Sequence, residues 1–419
     1  MSAGSTGAAI VAVGSELLGT SRLDTNSLWL AGRLEATGLR VARKSCVGDD
    51  PREIAAELGL ARARVPLVLV TGGLGPTDDD RTRDALALAV GRPLEMRADL
   101  LEEIRSRFAR RGIPMPSINE RQAMVVAGAD PLPNRRGSAP GLWLEDGATV
   151  FVLLPGVPRE MEAMFEESVA PRLARFAGPP RIRMVLKIAA MGESRVEERV
   201  RPVYAKWPDH DFTILASVGE VQLHLTAAGE PEGARAILEA QRQDFEAALP
   251  GRIYGVDGQT LEGVVGQHLR SSGGTVATAE SCTGGLLGAR LTEVPGSSDY
   301  YRGGVVAYSN EAKTALLGVP AATIEDEGAV SEAVARRMAQ GVAERFGARY
   351  GIAVTGVAGP DGGTEGKPVG TVWTAIAQDG GETTARLLRL PGERASVRGW
   401  SVASCLEDLR RRLKGEAHA

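Results

Sequence analysis

Several runs of consecutive apolar residues along this chain end in glycine together with a hydroxyl or a carboxylate. Ala8-Ala9-Ile10-Val11-Ala12-Val13 runs into Gly14-Ser15-Glu16, residues 65–71 run into Gly72-Gly73, and Thr275-Val276-Ala277 leads to Ser281. A strand with no polar alternation must be covered on both faces, which happens when helices pack on both sides of a largely parallel sheet. Helical patterns do alternate with these runs. Asp24 is placed to cap a helix carrying Leu28, Ala31 and Leu34 on one face, and Gly38 to stop it. Further helical patterns cover residues 83–90, 99–110 and 157–173, and Asp146-Gly147 between 141–145 and 149–154 is a hairpin signal. The order implies an α/β fold.

At 419 residues the chain is long enough for two or three cores. Ala177-Gly178-Pro179-Pro180 breaks the pattern and marks a boundary. Beyond it, residues 181–189 and 221–227 alternate like half-exposed strands, with helical patterns at 193–201 and 232–249. From Thr260 the strand–helix alternation returns, with strands at 303–308, 350–355 and 371–377 and helices at 331–346 and 394–413. The expected organisation is domain 1–176, a small α+β module 177–255 and domain 256–419. That makes two three-layer α/β domains with largely parallel sheets, joined by the module.

Composition excludes several classes. Apolar residues are 43% and charged residues 24%, an ordinary globular balance, and the formal net charge of −4 argues against a nucleic-acid-coating protein. Three cysteines without CxxC spacing favour neither a disulfide framework nor a zinc knuckle, and suit a reducing cytoplasm. The first residues lack the basic and apolar regions of a signal peptide, and no run approaches about 18 apolar residues, so neither export nor a membrane span is expected.

Two constellations carry chemistry. The first is Thr71-Gly72-Gly73-Leu74-Gly75-Pro76-Thr77-Asp78-Asp79-Asp80-Arg81-Thr82. Glycines after a parallel strand let backbone N–H groups approach a phosphate, and carboxylates just downstream can hold a divalent cation against it. Glu16, after the first strand, falls on the same C-terminal sheet edge. The stretch resembles the TGGTG…D-x-T signature of molybdopterin-binding domains. Gly14-Ser15-Glu16-Leu17 with Asp24-Thr25-Asn26-Ser27, and Leu154-Pro155-Gly156-Val157-Pro158, resemble the CinA (competence/damage-inducible) family in particular. The resemblance implies a metal-dependent ADP-ribose pyrophosphatase domain. It places Thr71, Gly72, Gly73, Gly75 and Asp80 around the substrate, and Glu16, Asp79 and Asp80 at a divalent cation (Mg, Mn or Co).

The second constellation centres on Ser281, in Thr278-Ala279-Glu280-Ser281-Cys282-Thr283-Gly284-Gly285, a strand-turn-helix pattern with a hydroxyl at the turn. Free N–H groups at such a turn can stabilise an oxyanion. A serine needs a base. Of the four histidines, His268 sits in the preceding helical pattern, His418 at the tail, and His210 and His224 in the middle module, which disfavours a Ser-His-Asp triad. Lys313, at the start of a helix beyond a strand end, can act as a base if desolvation keeps its amine neutral, although position alone favours a surface lysine. Cys282 is a rival nucleophile, and Ser331 reads as an N-cap.

From Thr278 to Trp373 the chain resembles the nicotinamide mononucleotide deamidase domain of the same family, with TAESCTGG, YYRGGVVAYSNEAK, GAVSE, AVTGVAGPDGG and KPVGTVW in order. The resemblance implies Ser281 as nucleophile, Lys313 as general base, and Tyr308 and Thr355 in the polar network. It implies Arg394 as a substrate-orienting residue, Thr283, Gly284 and Gly285 as the oxyanion hole, and Gly356 and Gly359 as substrate-binding. No metal is expected for deamidation. The middle module, KH-like in that family, lacks a Gly-x-x-Gly clamp, so it reads as a spacer or dimerisation element and nucleic acid is not an expected partner. The expected molecule is a cytoplasmic homodimer that acts on nicotinamide mononucleotide and ADP-ribose. The alternative is a non-catalytic nucleotide- or molybdopterin-binding accessory protein in DNA uptake or damage response.

Overall fold

The computed structural model describes residues 7–176 and 178–416. The chain divides into two compact units, Met1–Ile182 with Ala228–Ala234 and Arg183–Ala227 with Arg235–Ala419.

In the first unit, β1 (Ala8–Val13), α1 (Thr25–Ala36), β2 (Val41–Val47), α2 (Pro51–Arg62), β3 (Leu67–Thr71) and α3 (Thr82–Val90) follow in order. Next come β4 (Leu94–Met96), α4 (Ala98–Arg110) and β5 (Met124–Val126), with β4 and β5 forming a separate ribbon. β6 (Asp130–Leu132), β7 (Gly141–Asp146), β8 (Thr149–Leu154) and α5 (Pro158–Met164) complete the unit. The sheet runs β2-β1-β3-β8-β7-β6. The β1–β2, β1–β3 and β3–β8 pairs are parallel, and the expected hairpin β7–β8 and the β6 edge are antiparallel.

Alternate residues of β1 and β3 explain the absence of polar positions. Val11, Val68 and Val70 pack with Ile54, Leu58 and Leu86 on one face, while Ile10, Leu67 and Leu69 pack with Leu30, Leu34 and Phe165 on the other. Asp24 caps α1 as expected, its carboxylate accepting the Ser27 N–H. The helix expected over 157–173 is broken: after α5 come a π segment, Phe165–Val169, and a 3-10 segment, Ala170–Phe176. Pro171 lies in the last of these, where the missing N–H forbids regular α pairing.

The middle module comprises β9 (Arg181–Ala189), α6 (Glu193–Tyr204), β10 (Phe212–Ser217), β11 (Glu220–Ala228), α7 (Pro231–Ala248) and β12 (Ile253–Val256), with sheet order β10-β11-β9-β12. Ala189 and Tyr254 belong to the same apolar cluster as Leu261, Val265 and Leu406, so module and C-terminal domain share one core.

That domain contains α8 (Leu261–Ser271), β13 (Val276–Glu280), α9 (Leu286–Thr292), β14 (Tyr301–Val306), α10 (Asn310–Leu317) and α11 (Ala321–Glu327). α12 (Glu332–Phe346), β15 (Tyr350–Gly356), β16 (Thr371–Gln378), β17 (Thr384–Arg389) and α13 (Arg394–Leu413) follow. Its sheet, β14-β13-β15-β16-β17, is mixed. β13 pairs in parallel with β14 and β15, whereas β15–β16 and β16–β17 are antiparallel. The antiparallel half arises because no helix separates β15, β16 and β17, so the chain can only fold back. Small residues Ala277, Ala279, Ala353 and Ala375 face Val334, Met338 and Val342 of α12, while Val276, Ile352 and Val354 join the cluster with α8 and α13. No helix among the described residues is long and apolar enough to cross a membrane.

Candidate active site

Ser281 follows β13 directly and is buried, and its N–H donates to the Val354 carbonyl of β15 at 2.9 Å. The turn that turns the chain into α9 needs two successive left-handed residues, Gly284 at φ 60° and Gly285 at φ 94°. Glycine alone adopts this pairing without strain. Lys313 reaches the serine from α10, whose N-cap Ser309 accepts the Ala312 N–H at 3.1 Å. The lysine is 2% exposed, with Nζ 3.2 Å from Ser281 Oγ, 3.1 Å from the Ala307 carbonyl and 3.4 Å from the Tyr308 carbonyl. Burial pushes its pKa below the ordinary lysine value. A neutral amine keeps two N–H donors for the two carbonyls and turns its lone pair to the serine hydroxyl. The surface-lysine reading is therefore excluded. Burial acts oppositely on Cys282, raising its thiol to about 11, so this cysteine stays protonated and is a poor nucleophile.

The remaining expected residues divide. Tyr308 is exposed and its hydroxyl accepts from Arg394 Nη2 at 2.8 Å; Arg394 Nη1 donates to the Gly359 carbonyl at 2.8 Å. Tyr308, Arg394 and Gly359 thus form one clasp. Tyr308 touches Lys313 through its backbone carbonyl rather than its ring. The Thr355 hydroxyl donates to the Ala329 carbonyl at 2.8 Å and makes no hydrogen bond to Ser281 or Lys313. Gly356 is a packing requirement, since a Cβ there would lie 2.6 Å from Val372 on the paired strand.

The oxyanion hole expected at Thr283-Gly284-Gly285 needs correction. The Gly284 N–H donates to the Ser281 carbonyl at 3.0 Å and the Gly285 N–H to the Glu280 carboxylate at 3.0 Å, so both are engaged. Among the described residues, the N–H groups of Cys282 and Thr283 donate to no backbone carbonyl. Sequence reasoning also missed Arg398, whose Nη2 donates to the Thr283 carbonyl at 2.7 Å. Nothing but its position one helical turn after Arg394 pointed to it.

The first unit carries a second candidate site at the C-terminal edge of its sheet. A cavity of about 420 Å³ is lined by Glu16, Asn26, Thr71, Gly72, Gly73, Gly75, Asp79 and Asp80, among others. Asn26 Nδ2 donates to Thr71 Oγ1 at 3.0 Å and to the Gly156 carbonyl at 2.9 Å, tying the start of α1 to the end of β3 and the loop after β8. A Cβ on Gly72, at φ 104°, would stand 2.2 Å from the Val13 carbonyl. Arg83, buried and pushed down to about 10 by that burial, donates to the Leu74 carbonyl at 3.0 Å and holds the glycine loop from beneath.

Six carboxylates line this cavity: Glu16, Asp24, Asp49, Asp79, Asp80 and Glu160. Asp24 caps α1, Asp49 accepts the Ser15 N–H, Glu160 accepts from Asn134, and Asp80 accepts both the N–H and the hydroxyl of Thr77. Glu16 has a loose 3.8 Å pair with Arg22, and Asp79 is exposed. Among the described residues no three His, Cys, Asp or Glu side chains form a ready metal cage. The expected trio Glu16, Asp79 and Asp80 is therefore not a preformed ligand set, because Asp80 is turned into its own loop. One or two hard oxygen ligands do suit a magnesium-type ion that takes its other ligands from water and substrate phosphates.

The architecture defines a modular α/β protein with a separate edge site in each of its two units. The comparisons agree part by part: residues 9–175 match the family described as a probable molybdopterin binding domain, 183–255 the damage-inducible protein CinA KH domain, and 258–413 the CinA C-terminal domain. The whole chain belongs to the CinA family. It is 44% identical over 412 residues to a CinA-like protein of Solibacter usitatus (strain Ellin6076), covering 98% of this chain and 99% of that one. It is 46% identical over 426 residues to a putative competence-damage inducible protein of Symbiobacterium thermophilum, covering 97% and 99%. A solved structure, the competence/damage inducible protein CihA from Agrobacterium tumefaciens, is 38% identical and covers 37% of this chain and 97% of that chain, with a TM-score of 0.35.

Proposed function

We propose that the C-terminal domain is a serine–lysine amidohydrolase that converts nicotinamide mononucleotide to nicotinic acid mononucleotide and ammonia. The observation that carries this reading is the buried Lys313 amine 3.2 Å from Ser281 Oγ. The substrate class comes from the family resemblance of residues 278–373.

Lys313 Nζ takes the Ser281 proton as Oγ attacks the carboxamide carbon. The N–H groups of Cys282 and Thr283 receive the oxyanion. The C–N bond breaks, Lys313 returns the proton to the leaving nitrogen, and ammonia departs. Water then gives a proton to Lys313 and attacks the acyl carbon. The ester bond to Oγ breaks and the proton returns to Ser281. Arg394, clasped to Tyr308, is the group that orients the nucleotide.

For the first unit the proposed reaction is cleavage of the ADP-ribose pyrophosphate. Thr71, Gly72, Gly73 and Gly75 would lie against the phosphates, and Glu16 and Asp79 would share a divalent cation that neutralises their charge. Incubation of purified protein with nicotinamide mononucleotide tests the main reading. Ammonia and nicotinic acid mononucleotide should appear in equal amounts; an unchanged substrate overturns it.

A further inference from the structure

Glu280 is the last residue of β13 and stands directly before Ser281, yet it is 2% exposed. No Lys or Arg among the described residues forms an ion pair with it; three backbone N–H groups donate to it instead. Those of Gly285 and Leu287 lie 3.0 Å from Oε2, and that of Gly288 lies 2.8 Å from Oε1. An unpaired buried carboxylate is costly, and three charge-assisted bonds are the compensation this fold supplies. The side chain therefore spans the whole turn from Ser281 to Gly285 and anchors in the first turn of α9.

This anchoring has two geometric consequences. The turn contains Gly284 and Gly285, which lend it no stiffness of their own. It is closed by the Gly284 N–H on the Ser281 carbonyl, by the Leu286 N–H and Arg398 on the Thr283 carbonyl, and by Glu280. Glu280 also occupies the N–H groups of Gly285, Leu287 and Gly288 at the start of α9.

We infer that Glu280 is a positioning residue for the Ser281 reaction. It holds the 281–285 turn so that Ser281 Oγ stays beside Lys313, and it leaves the Cys282 and Thr283 N–H groups as the oxyanion donors. The inference rests on the serine–lysine reading above.

The test compares wild type, Glu280→Gln and Ser281→Ala. It measures ammonia release from nicotinamide mononucleotide and the labelling rate of Ser281 by a fluorophosphonate probe. The amide keeps the volume but can no longer accept at both positions. Glu280→Gln should lower kcat about 100-fold, the scale of a catalytic group misplaced by roughly an ångström. KM should stay within about threefold, since ground-state binding is untouched. The labelling rate should fall with kcat. A helix cap with no catalytic role would lower the melting temperature and leave kcat per folded molecule within about twofold, and that result overturns the inference. Activity retained by Ser281→Ala would instead sink the underlying reading.

Should Glu280→Gln not fold, amide hydrogen exchange on the wild-type protein decides the matter. The Leu287 and Gly288 amides should be protected more strongly than those of Cys282 and Thr283. Equal exchange at all four contradicts the proposal.

Discussion

Lys313 shows how one residue changes meaning with its surroundings. On sequence position alone it is an ordinary lysine at a helix start; buried against two carbonyls and a serine hydroxyl, it has the surroundings that the proposed base requires. Lys313→Met fills the same space without accepting a proton and should abolish ammonia release while the far-UV circular dichroism stays that of wild type. The pH dependence follows from the direction of the shift. The active form is the neutral amine, its pKa is lowered, and activity should rise with pH along an acid limb whose midpoint lies below the ordinary lysine value. A flat kcat/KM profile from pH 5 to about 10 would remove lysine from the mechanism. Ser281→Ala should likewise abolish deamidation while ADP-ribose cleavage continues; ammonia release by this variant would move the nucleophile elsewhere, despite the raised pKa of Cys282.

At the scale of elements, both sites depend on glycines where a strand hands the chain to a loop. Gly72→Ala puts a methyl group 2.2 Å from the Val13 carbonyl at a φ of 104°. Strain of this kind costs about 1–3 kcal/mol before any clash is relieved. Chemical denaturation should show this loss in the first unit, with ADP-ribose cleavage reduced and deamidation unchanged; wild-type stability would mean that the loop relaxes freely. These strand ends were legible in the sequence because an unbroken apolar run followed by glycine has one economical fold. The buried strands β1 and β3 were readable this way, β8 through its Asp146-Gly147 hairpin signal, and β13 and β15 from the returning strand–helix alternation. The edge strands β2 and β17 were not, because Arg43, Lys44, Arg386 and Arg389 give them the look of solvated loops. Ser281 and Lys313 could be paired only through the family resemblance of their motifs. Glu280, Arg83 and Arg398 could not, since each acts on backbone groups that only the folded turn brings within reach.

At the scale of the whole molecule, two different electrostatic solutions occupy one polypeptide. Around Ser281 the groups of the proposed deamidase site are a hydroxyl, a buried amine and backbone N–H donors, a set that suits a neutral amide. The glycine-loop cavity is lined by six carboxylates, which repel a pyrophosphate unless a cation intervenes. The two units are compact by themselves, so the sites should respond independently to metal removal. The most direct measurement is product formation from nicotinamide mononucleotide and from ADP-ribose, each with and without EDTA, on the same purified protein. Ammonia release should persist in EDTA, while formation of AMP and ribose 5-phosphate should stop and return on adding magnesium or manganese. Loss of both activities in EDTA, or of neither, would contradict this division between a serine–lysine site and a cation-dependent one.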